Sequence, residues 1–393
     1  MHTPSRETPS ATQPGLRDSR RAAAELHMHL TGWLLEAAYP LWAQAGYDLR
    51  GGGFYERLSA DGPETTDPRR ARVQVRQLCA FAKAPQLGWR GDPAPLIEAA
   101  WASFFERYRR ADGLFRALCS ADGAPLDERA LLDDQASVLL ALAECQTIPA
   151  LRTRLHTEAL ALLENLRHVL KRQGAGFNSG TAEQLADGYA HLLEAALAWT
   201  ALSEAPEWRS LADEIVELAL TRFMDRRTGA LLERFGEDWV PIAGVEGHII
   251  EPGRLYKWAW LLQRCGGERA TAAATRLLDI AEAHGVRRGV VINAMLDDFT
   301  VHDGQARLWP QTERLKALGL AAVNHGRYWP AVVASGRALL RYLAVAPDGL
   351  WYDTITVNER FIAEPSPAST LYHLVTAIAQ LGSALGAVEV PAA

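Results

Sequence analysis

Ionisable and aromatic side chains recur close to the starts of alternate predicted helices in this 393-residue sequence. Histidines can exchange a proton near neutral pH, and arginines can bind an oxyanion. Taken singly, each residue has a structural explanation, since a lone histidine on a helix more often packs than reacts. Taken together, they would place charge inside the fold unless they line a solvent-filled pocket. The set comprises Arg72, Arg76, Asp134, Gln135, His191, Glu194, Arg254, Lys257, Glu313 and His373, with Phe54, Trp258, Trp260, Trp309, Trp351 and Tyr372 beside them.

Such a pocket suits a carbohydrate, whose C–H faces stack on aromatic rings while its hydroxyl groups take hydrogen bonds. The sequence carries no P-loop, dinucleotide fingerprint or HExxH helix that would indicate a nucleotide or zinc enzyme. We therefore expect a small sugar as the partner and no metal site. A glycosidase-like pair of carboxylates stays open, because Asp134 and Glu313 could face each other across the fold.

The elements that must position these side chains are helices. The 3.6-residue period predicts twelve of them, and the links after odd-numbered helices are long while those after even-numbered helices are short. The predicted spans are 21–45, 71–88, 94–110, 132–146, 151–172, 182–203, 206–224, 252–266, 268–285, 309–322, 327–344 and 366–385.

The even-numbered helices begin near residues 71, 132, 182, 252, 309 and 368, at gaps of 61, 50, 70, 57 and 59 residues, which indicates a helix-pair repeat that closes on itself. We predict an all-α fold, an (α/α)6 barrel with the even helices inside and short β-hairpins in the long links at one mouth. GGGFYERLSADG at 51–62 is such a hairpin signal. An open helical solenoid is the alternative. Residues 1–20 are expected to form a mobile tail, and 21–388 a single domain.

Composition excludes several classes of protein. The net charge is -6, with 41 basic and 47 acidic residues, so nucleic acid is not an expected partner. No apolar run is long enough for a membrane span, and the first residues resemble no signal peptide. Four scattered cysteines do not make a disulfide framework. We expect a cytoplasmic monomer or homodimer that does not bind membranes.

Seven segments, in order and spacing, resemble the N-acylglucosamine 2-epimerase superfamily, which includes mannose and other aldose-ketose isomerases and cellobiose epimerases. The resemblance covers nearly the whole chain and implies the same (α/α)6 barrel. It also implies cofactor-free chemistry, in which a proton leaves the carbon next to the sugar carbonyl and returns to an enediol. The segments are GGGFYERLSADG (51–62), RARVQVRQLCAFAKAPQLGW (70–89), LLDDQASVLLALA (131–143), AHLLEAALA (190–198), EPGRLYKWAWLL (251–262), RLWPQTERLKA (307–317) and PSPASTLYHL (365–374).

The resemblance implies roles for individual residues. His373 would be the principal base, Arg76 would steady the sugar oxygen, and His191 would be the other catalytic residue. Glu313 and Trp309 would bind substrate. Phe54, in the first of the seven segments, is expected at the pocket as well.

The fifth segment departs from the family pattern E-P-G-H-x-x-E-W. Arg254 stands where the family has a second catalytic histidine, and Lys257 where it has a glutamate. His248, six residues earlier, is expected near the pocket mouth and would supply the missing histidine in an alternative register.

Loss of one base should damage epimerisation, which uses a base on each face of the intermediate, more than isomerisation. We therefore expect a mannose/fructose-like aldose-ketose isomerase, with a sugar 2-epimerase as the alternative. Arg254 and Lys257 at a helix start would also bind an anion, which leaves a phosphorylated or sulfonated sugar open. The non-enzymatic alternative is a carbohydrate-binding family member that has lost catalysis.

Overall fold

The computed structural model describes residues 13–386. Twelve helices run through this part of the chain, close to their predicted spans. They are α1 (Gln13–Trp33), α2 (Ala71–Lys83), α3 (Ala94–Tyr108), α4 (Leu132–Glu144), α5 (Arg152–Val169), α6 (Ala186–Leu202), α7 (Pro206–Leu218), α8 (Pro252–Cys265), α9 (Glu268–His284), α10 (Leu308–Asn324), α11 (Trp329–Leu343) and α12 (Ser369–Leu385). Helix α1 continues through a π turn, Leu34–Ala38, into Tyr39–Ala45.

The even-numbered helices form a closed inner ring. Each packs on the next in chain order from α2 to α12, and α12 packs on α2. The odd-numbered helices pack outside, each against its inner neighbours, with α1 lying between α11 and α12. The closing contact confirms the predicted barrel and excludes the open solenoid.

Inner and outer helices differ in sequence because they differ in surroundings. Helix α6 is buried almost all round, and its residues are mainly alanine, leucine and aromatic. Helix α7 is amphipathic, and Trp208 from its apolar face stacks on Trp199 of α6 with ring centroids 5.2 Å apart. A helix that is apolar on all sides needs partners on all sides, which only the inner ring provides.

Fifteen short strands lie in the long links: β1 (Arg57–Ser59), β2 (Gly62–Pro63), β3 (Arg69–Arg70), β4 (Leu118–Cys119), β5 (Pro125–Asp127), β6 (Gln184–Leu185), β7 (Arg234–Phe235), β8 (Ile249–Ile250), β9 (Val286–Arg287), β10 (Val290–Val291), β11 (Ala294–Leu296), β12 (Val301–Asp303), β13 (Ala306–Arg307), β14 (Thr354–Ile355) and β15 (Ser366–Pro367).

Strand pairing is local at some places and long-range at others. The predicted hairpin at 51–62 forms as β1–β2, and β4–β5 is another. Elsewhere a link pairs with the next link round the mouth, as in β6–β7, β8–β11 and β13–β14, while β15 joins the last link to β1 of the first. All pairs are antiparallel.

A buried glutamine fastens a long link to an inner helix in several repeats. Gln74 accepts a hydrogen bond from the backbone N–H of Phe54 and donates one to its carbonyl. Gln135 does the same with Phe115. Gln311 holds Val291 in the same way, again twenty residues upstream. Each amide satisfies two backbone groups that burial would otherwise leave without partners.

The N-terminal boundary differs from the prediction. Helix α1 begins at Gln13, inside the stretch 1–20 that was expected to be a tail, because the run of arginine and alanine from residue 17 is helix-forming. Residues 1–12 and 387–393 lie outside the described residues. Within 13–386, no helix combines the length and the apolar character that a membrane crossing requires.

Candidate active site

A polar cavity of about 270 Å³ opens at the mouth of the barrel where the long links meet. The first two turns of all six inner helices and four of the strand-bearing links supply its walls. Helix N-termini point their free backbone donors and partial positive charge toward this space. The lining residues are Arg70, Arg72, Arg76, Asp133, Asp187, His191, Glu251, Arg254, Lys257, Arg307, Trp309, Asp353, Pro367, Ser369, Thr370 and His373.

His373 is held in one tautomer by Glu313. The two side chains approach to 3.0 Å between Nδ1 and Oε1, and a carboxylate can only accept, so Nδ1 carries the proton. Nε2 is left with its lone pair and has no hydrogen-bond partner in the described part of the chain. Burial lowers the pKa of His373 to about 4, against the opposing effect of Glu313. The ring is therefore neutral and able to accept a proton at physiological pH.

Glu313 lies behind His373 and is 1% exposed, so it does not line the cavity. Lys316 approaches its other oxygen, Oε2, to 2.8 Å. Burial alone would raise the pKa of Glu313, but Lys316, Lys257 and the hydrogen bond with His373 together outweigh burial and hold the pKa well below its usual value. The expectation that Glu313 binds substrate is thus corrected: it lies outside the cavity lining and orients the ring of His373.

Glu194 continues this buried chain of charges on the other side of Lys316. Lys257 donates to Glu194 at 2.8 Å, and the Tyr372 hydroxyl donates to its second oxygen at 2.7 Å. Lys316 is 4.0 Å away. Two lysines and two glutamates thus alternate from Lys257 in the cavity wall to Glu313 behind His373, which satisfies the requirement that buried charge be paired.

His191 lies between two cationic donors. Arg76 approaches its Nε2 to 3.0 Å, and Lys257 approaches its Nδ1 to 3.1 Å. Burial, followed by the positive charges of Lys257 and Arg76, lowers the pKa of His191 well below its usual value. A neutral imidazole has one lone pair on its nitrogens, and here a donor faces each nitrogen. His191 is therefore poorly suited to remove a proton from carbon.

Arg76 and Arg72 share two adjacent carboxylates of α4. Arg72 bonds Asp133 and Asp134, each at 2.8 Å, and Arg76 bonds Asp133 at 3.1 Å. Burial would raise the pKa of Asp133, but the two guanidinium groups outweigh it and hold the pKa below its usual value. Burial raises the pKa of Asp134 to about 7. Asp134 is fully buried and absent from the cavity wall, so it cannot form a glycosidase pair with Glu313.

Arg254 already has three carboxylate partners. It contacts Asp187, and its Nε lies 3.2 Å from both Glu233 and Glu251. Lys257 is likewise paired, with Glu194. Both residues line the cavity as expected, but their charges are compensated within the fold. The expected anion site at these two cations is therefore not supported by their surroundings.

Arg307 is the cavity cation with the weakest pairing. Its side chain is 43% exposed, its nearest carboxylate oxygen is that of Glu251 at 3.9 Å, and its Nε has no hydrogen-bond partner in the described residues. The guanidinium carbons of Arg307 and Arg254 lie 5.8 and 6.0 Å from the centroid of the Trp309 ring. Trp309 also lies 6.1 Å from the His373 ring, so its prediction as a cavity residue agrees with the structure.

Asp353 lines the cavity without a cationic partner. Within residues 13–386 no lysine or arginine nitrogen comes within 4.0 Å of it, whereas Asp133, Asp187 and Glu251 all have one. Its Oδ1 accepts a hydrogen bond from the Thr370 hydroxyl at 3.3 Å. Burial raises the pKa of Asp353 to about 6.

Phe54 and His248 lie away from the cavity, which corrects both expectations. Phe54 is fully buried and packs on Tyr47 and Phe81, because its backbone is drawn into the core by Gln74. His248 is 58% exposed and pairs with Asp297 at 2.9 Å.

A cluster of potential metal ligands lies in the cavity wall. Ligand atoms of Asp133, Asp187 and His191 lie within 4.8 Å of one another. Arg72 and Arg254 already neutralise the two carboxylates, and a divalent cation there would lie among guanidinium groups. These surroundings do not fit a metal ion.

Sequence reasoning did not find Asp133, Asp187, Arg70, Arg307 or Asp353. Asp133 is adjacent to Asp134, which was chosen instead, and the helix start alone does not say which of two neighbours faces inward. A usable signal existed for Arg307, which stands two residues before Trp309 in a segment already singled out.

Comparison with known proteins shows the family of the chain. Residues 53–377 match the family model described as N-acylglucosamine 2-epimerase. A mannose-6-phosphate isomerase of Rhizobium meliloti (strain 1021) is 41% identical over 373 residues, which are 91% of this chain and 96% of that protein.

Two solved structures share the architecture. Cellobiose 2-epimerase from Spirochaeta thermophila superposes with a TM-score of 0.80 at 21% identity, over 96% of this chain and 99% of that one. A D-mannose isomerase gives 0.78 at 17% identity, over 96% and 100%. At these identities the likeness concerns the fold, and it confirms the predicted fold class.

Proposed function

The chain belongs to the N-acylglucosamine 2-epimerase family and is a sugar isomerase or epimerase, and on this premise we propose that it is an aldose-ketose isomerase with His373 as its single carbon base. The observation that carries the proposal is the contrast between two histidines. His373 offers a free Nε2 to the cavity, and His191 has a cationic donor at each nitrogen.

One base on one face is enough for isomerisation. Nε2 of His373 takes the proton from C2 of the open-chain aldose and returns it to C1 of the enediol, while a proton passes from O2 to O1. Epimerisation at C2 also needs reprotonation from the opposite face. His191 is poorly placed for that step, because Arg76 and Lys257 occupy its two nitrogens.

Arg76 supplies the charge that the intermediate requires. Its guanidinium lines the cavity, and its Nε has no hydrogen-bond partner in the described residues. Developing negative charge on O1 and O2 is stabilised by a fixed cation in a water-poor cavity more strongly than in bulk water. Lys257, which also lines the cavity, adds a second positive charge beside His191.

A phosphorylated hexose is the substrate class we favour. The relative named mannose-6-phosphate isomerase is 41% identical over nearly its whole length. Six cationic side chains line the cavity, namely Arg70, Arg72, Arg76, Arg254, Lys257 and Arg307, against four carboxylates. Behind the wall, Glu56, Asp134, Glu194 and Glu233 pair with Arg70, Arg72, Lys257 and Arg254 in turn. Among the six, Arg307 is the most available to a phosphate.

The test is proton NMR in heavy water with mannose, glucose, fructose and their 6-phosphates. We expect conversion of mannose 6-phosphate to fructose 6-phosphate, with deuterium entering next to the carbonyl, and slower turnover of the free sugar. His373→Asn should lose both conversion and exchange. As a matched control, His248→Asn changes an exposed histidine outside the cavity and should retain them.

Other outcomes identify the alternatives. A new C2 epimer that carries deuterium, without ketose, would establish an epimerase and overturn the single-base proposal. A folded protein that binds these sugars but exchanges no proton would establish the carbohydrate-binding alternative.

A further inference from the structure

Ring opening lacks a catalyst in the mechanism above. Hexoses are predominantly cyclic, and the C1–O5 bond must break before C2 can lose its proton. His248 lies outside the cavity, and both nitrogens of His191 face cations. In the proposed mechanism, His373 exchanges its proton with C2 and C1 of the sugar. Another group in the cavity must exchange protons with O1 and O5.

We propose that Asp353 is the ring-opening catalyst of this isomerase. It is the lining carboxyl group of residues 13–386 that has no lysine or arginine nitrogen within 4.0 Å, so no ion pair fixes it as a carboxylate. The charged groups that face it are Arg307, on the strand before α10, and Glu364, in the link before α12. The inference rests on the proposed function, because it supplies a step of the same reaction.

Asp353 lies against the part of α12 that carries His373. Thr370 donates to its Oδ1 at 3.3 Å, and Thr370 precedes His373 by three residues on α12. Residues three apart on a helix share a face, with Cβ atoms about 5–6 Å apart. Asp353 and His373 therefore serve neighbouring atoms of one substrate rather than opposite faces of C2, which argues against a role for Asp353 as a second epimerisation base.

A neutral carboxyl group can open the ring in one balanced step. Its hydroxyl oxygen gives a proton to O5 as the C1–O5 bond breaks, and its carbonyl oxygen takes the proton of the O1 hydroxyl as the C1=O1 bond forms. The carboxyl group ends protonated, and no other reactant is needed. Thr370 holds Oδ1, which leaves Oδ2 to carry the proton. Burial raises the pKa of Asp353 to about 6, so a useful neutral fraction persists near neutral pH.

The experiment separates ring opening from isomerisation. The substrate 2-deoxyglucose 6-phosphate forms a ring but has no O2, so it interconverts its anomers without becoming a ketose. NMR exchange between its anomers therefore reports ring opening alone. We expect the wild-type protein to accelerate this exchange. We expect Asp353→Asn to reduce the acceleration at least 10-fold, and Thr370→Val, which removes only the positioning hydroxyl, to give a smaller loss.

Two controls keep the result specific. Asp348→Asn makes the same carboxyl-to-amide change at an exposed residue of the same link, outside the cavity, and it should retain the acceleration. His373→Asn should also retain it while losing conversion of mannose 6-phosphate. In addition, Asp353→Asn should still isomerise erythrose 4-phosphate, whose blocked O4 prevents ring formation; this shows that the variant is folded and active on an open chain.

The outcomes distinguish the two proposals. Anomer exchange that is as fast in Asp353→Asn as in the wild type, or that the wild type does not accelerate, overturns the role of Asp353. Absence of conversion and of C2 exchange in the wild type with every sugar overturns the proposed function instead. An Asp353→Asn protein that has lost turnover of cyclic and acyclic sugars equally also overturns the inference, because the defect would not be specific to ring opening.

Discussion

The ammonium group of Lys257 lies 3.1 Å from Nδ1 of His191, on the side of the imidazole opposite Arg76. Lys257 occupies the position at which the family pattern has a glutamate. A glutamate would accept a proton from Nδ1 and increase the basicity of the ring, whereas a lysine donates to Nδ1 and decreases it. With a lysine at this position, His191 has a cationic donor at each ring nitrogen and little capacity to accept a proton.

Replacement of Lys257 should have two separately measurable effects, one through Glu194 and one through His191. In Lys257→Met, Glu194 loses the cation that lies 2.8 Å away, and breaking a buried pair costs about 3–5 kcal/mol of unfolding free energy. The pKa of His191 should rise, because one of the charges that lowers it is gone. Urea denaturation and histidine NMR titration measure the two effects.

The matched control is Lys83→Met, which removes a lysine from a partly exposed pair with Glu144. Such pairs contribute about 0–1 kcal/mol. Equal destabilisation in both variants would contradict a special role for the buried charge chain.

Glu313→Gln should impair catalysis without impairing binding. The substitution removes the negative charge that opposes the fall in the pKa of His373, so His373 becomes a weaker base. We expect kcat to fall about 10- to 100-fold. KM should be unchanged, and the acid limb of the pH-rate profile should move to lower pH. A change in KM with unchanged kcat would show that Glu313 contacts substrate after all.

His373 should make stability depend on pH in a defined direction. Its pKa is about 4 in the folded protein against 6.5 when unfolded, so the unfolded chain binds more protons between these values. The contribution is fully present above pH 6.5 and is lost as the pH falls toward 4. Relative to His373→Gln, the wild type should lose up to about 3 kcal/mol between pH 7 and pH 4. Equal losses in both proteins would refute the low pKa.

Replacement of Arg307 should raise KM for a phosphorylated sugar and leave KM for the free sugar unchanged. Arg307→Ala removes the cavity cation with the weakest internal pairing, and a charge-assisted hydrogen bond to phosphate contributes about 1.5–3 kcal/mol. KM for mannose 6-phosphate should rise about 10- to 100-fold, while KM for mannose stays the same.

Arg287→Ala is the control for this change, because Arg287 is exposed and outside the cavity. Steady-state kinetics with both sugars gives the comparison. A parallel rise for mannose and its phosphate would place the phosphate elsewhere.

The hydrogen bonds by which a buried glutamine fastens a long link to an inner helix, here called the glutamine clasp, should contribute to stability. Gln135→Leu would leave the backbone N–H and C=O of Phe115 without their partners at a buried position, at about 1–3 kcal/mol each. We expect a loss of about 2–5 kcal/mol by urea denaturation. Gln263→Leu, which removes a hydrogen bond within one helix from a half-buried glutamine, should cost less than 1 kcal/mol.

Much of the fold could be predicted from the sequence because periodicity and link length are local signals. The inner helix starts at 71, 132 and 252 agree with the structure to the residue, whereas the starts predicted at 182 and 366 precede the helices by three or four residues. Those stretches hold β6 and β15, whose pairing partners lie far along the chain. The secondary-structure propensity of a short segment does not show whether a strand far along the chain will pair with it.

Site residues on helix faces could be predicted from the sequence, whereas residues whose positions depend on the path of a loop could not. His191, His373 and Arg76 lie on regular inner helices, so their orientation follows from the period. Phe54 is turned into the core by a glutamine twenty residues away, and Asp353 is brought to the wall by a link whose path no local pattern specifies. The recurrent twenty-residue spacing of the clasp is the signal that would have placed Phe54 correctly.

The contact between α12 and α2, which closes the inner ring, affects how the protein folds during its synthesis. Gln77 of α2 donates at 2.6 Å to the carbonyl of Ala368, which is 291 residues away, and α12 carries His373. During synthesis on the ribosome, the first repeats emerge long before the helix that covers their apolar edge. They must persist with that edge exposed, and contacts of such separation form slowly. In the proposed mechanism, catalytic competence therefore arrives with the last helix of the ring, because α12 brings His373 to the cavity.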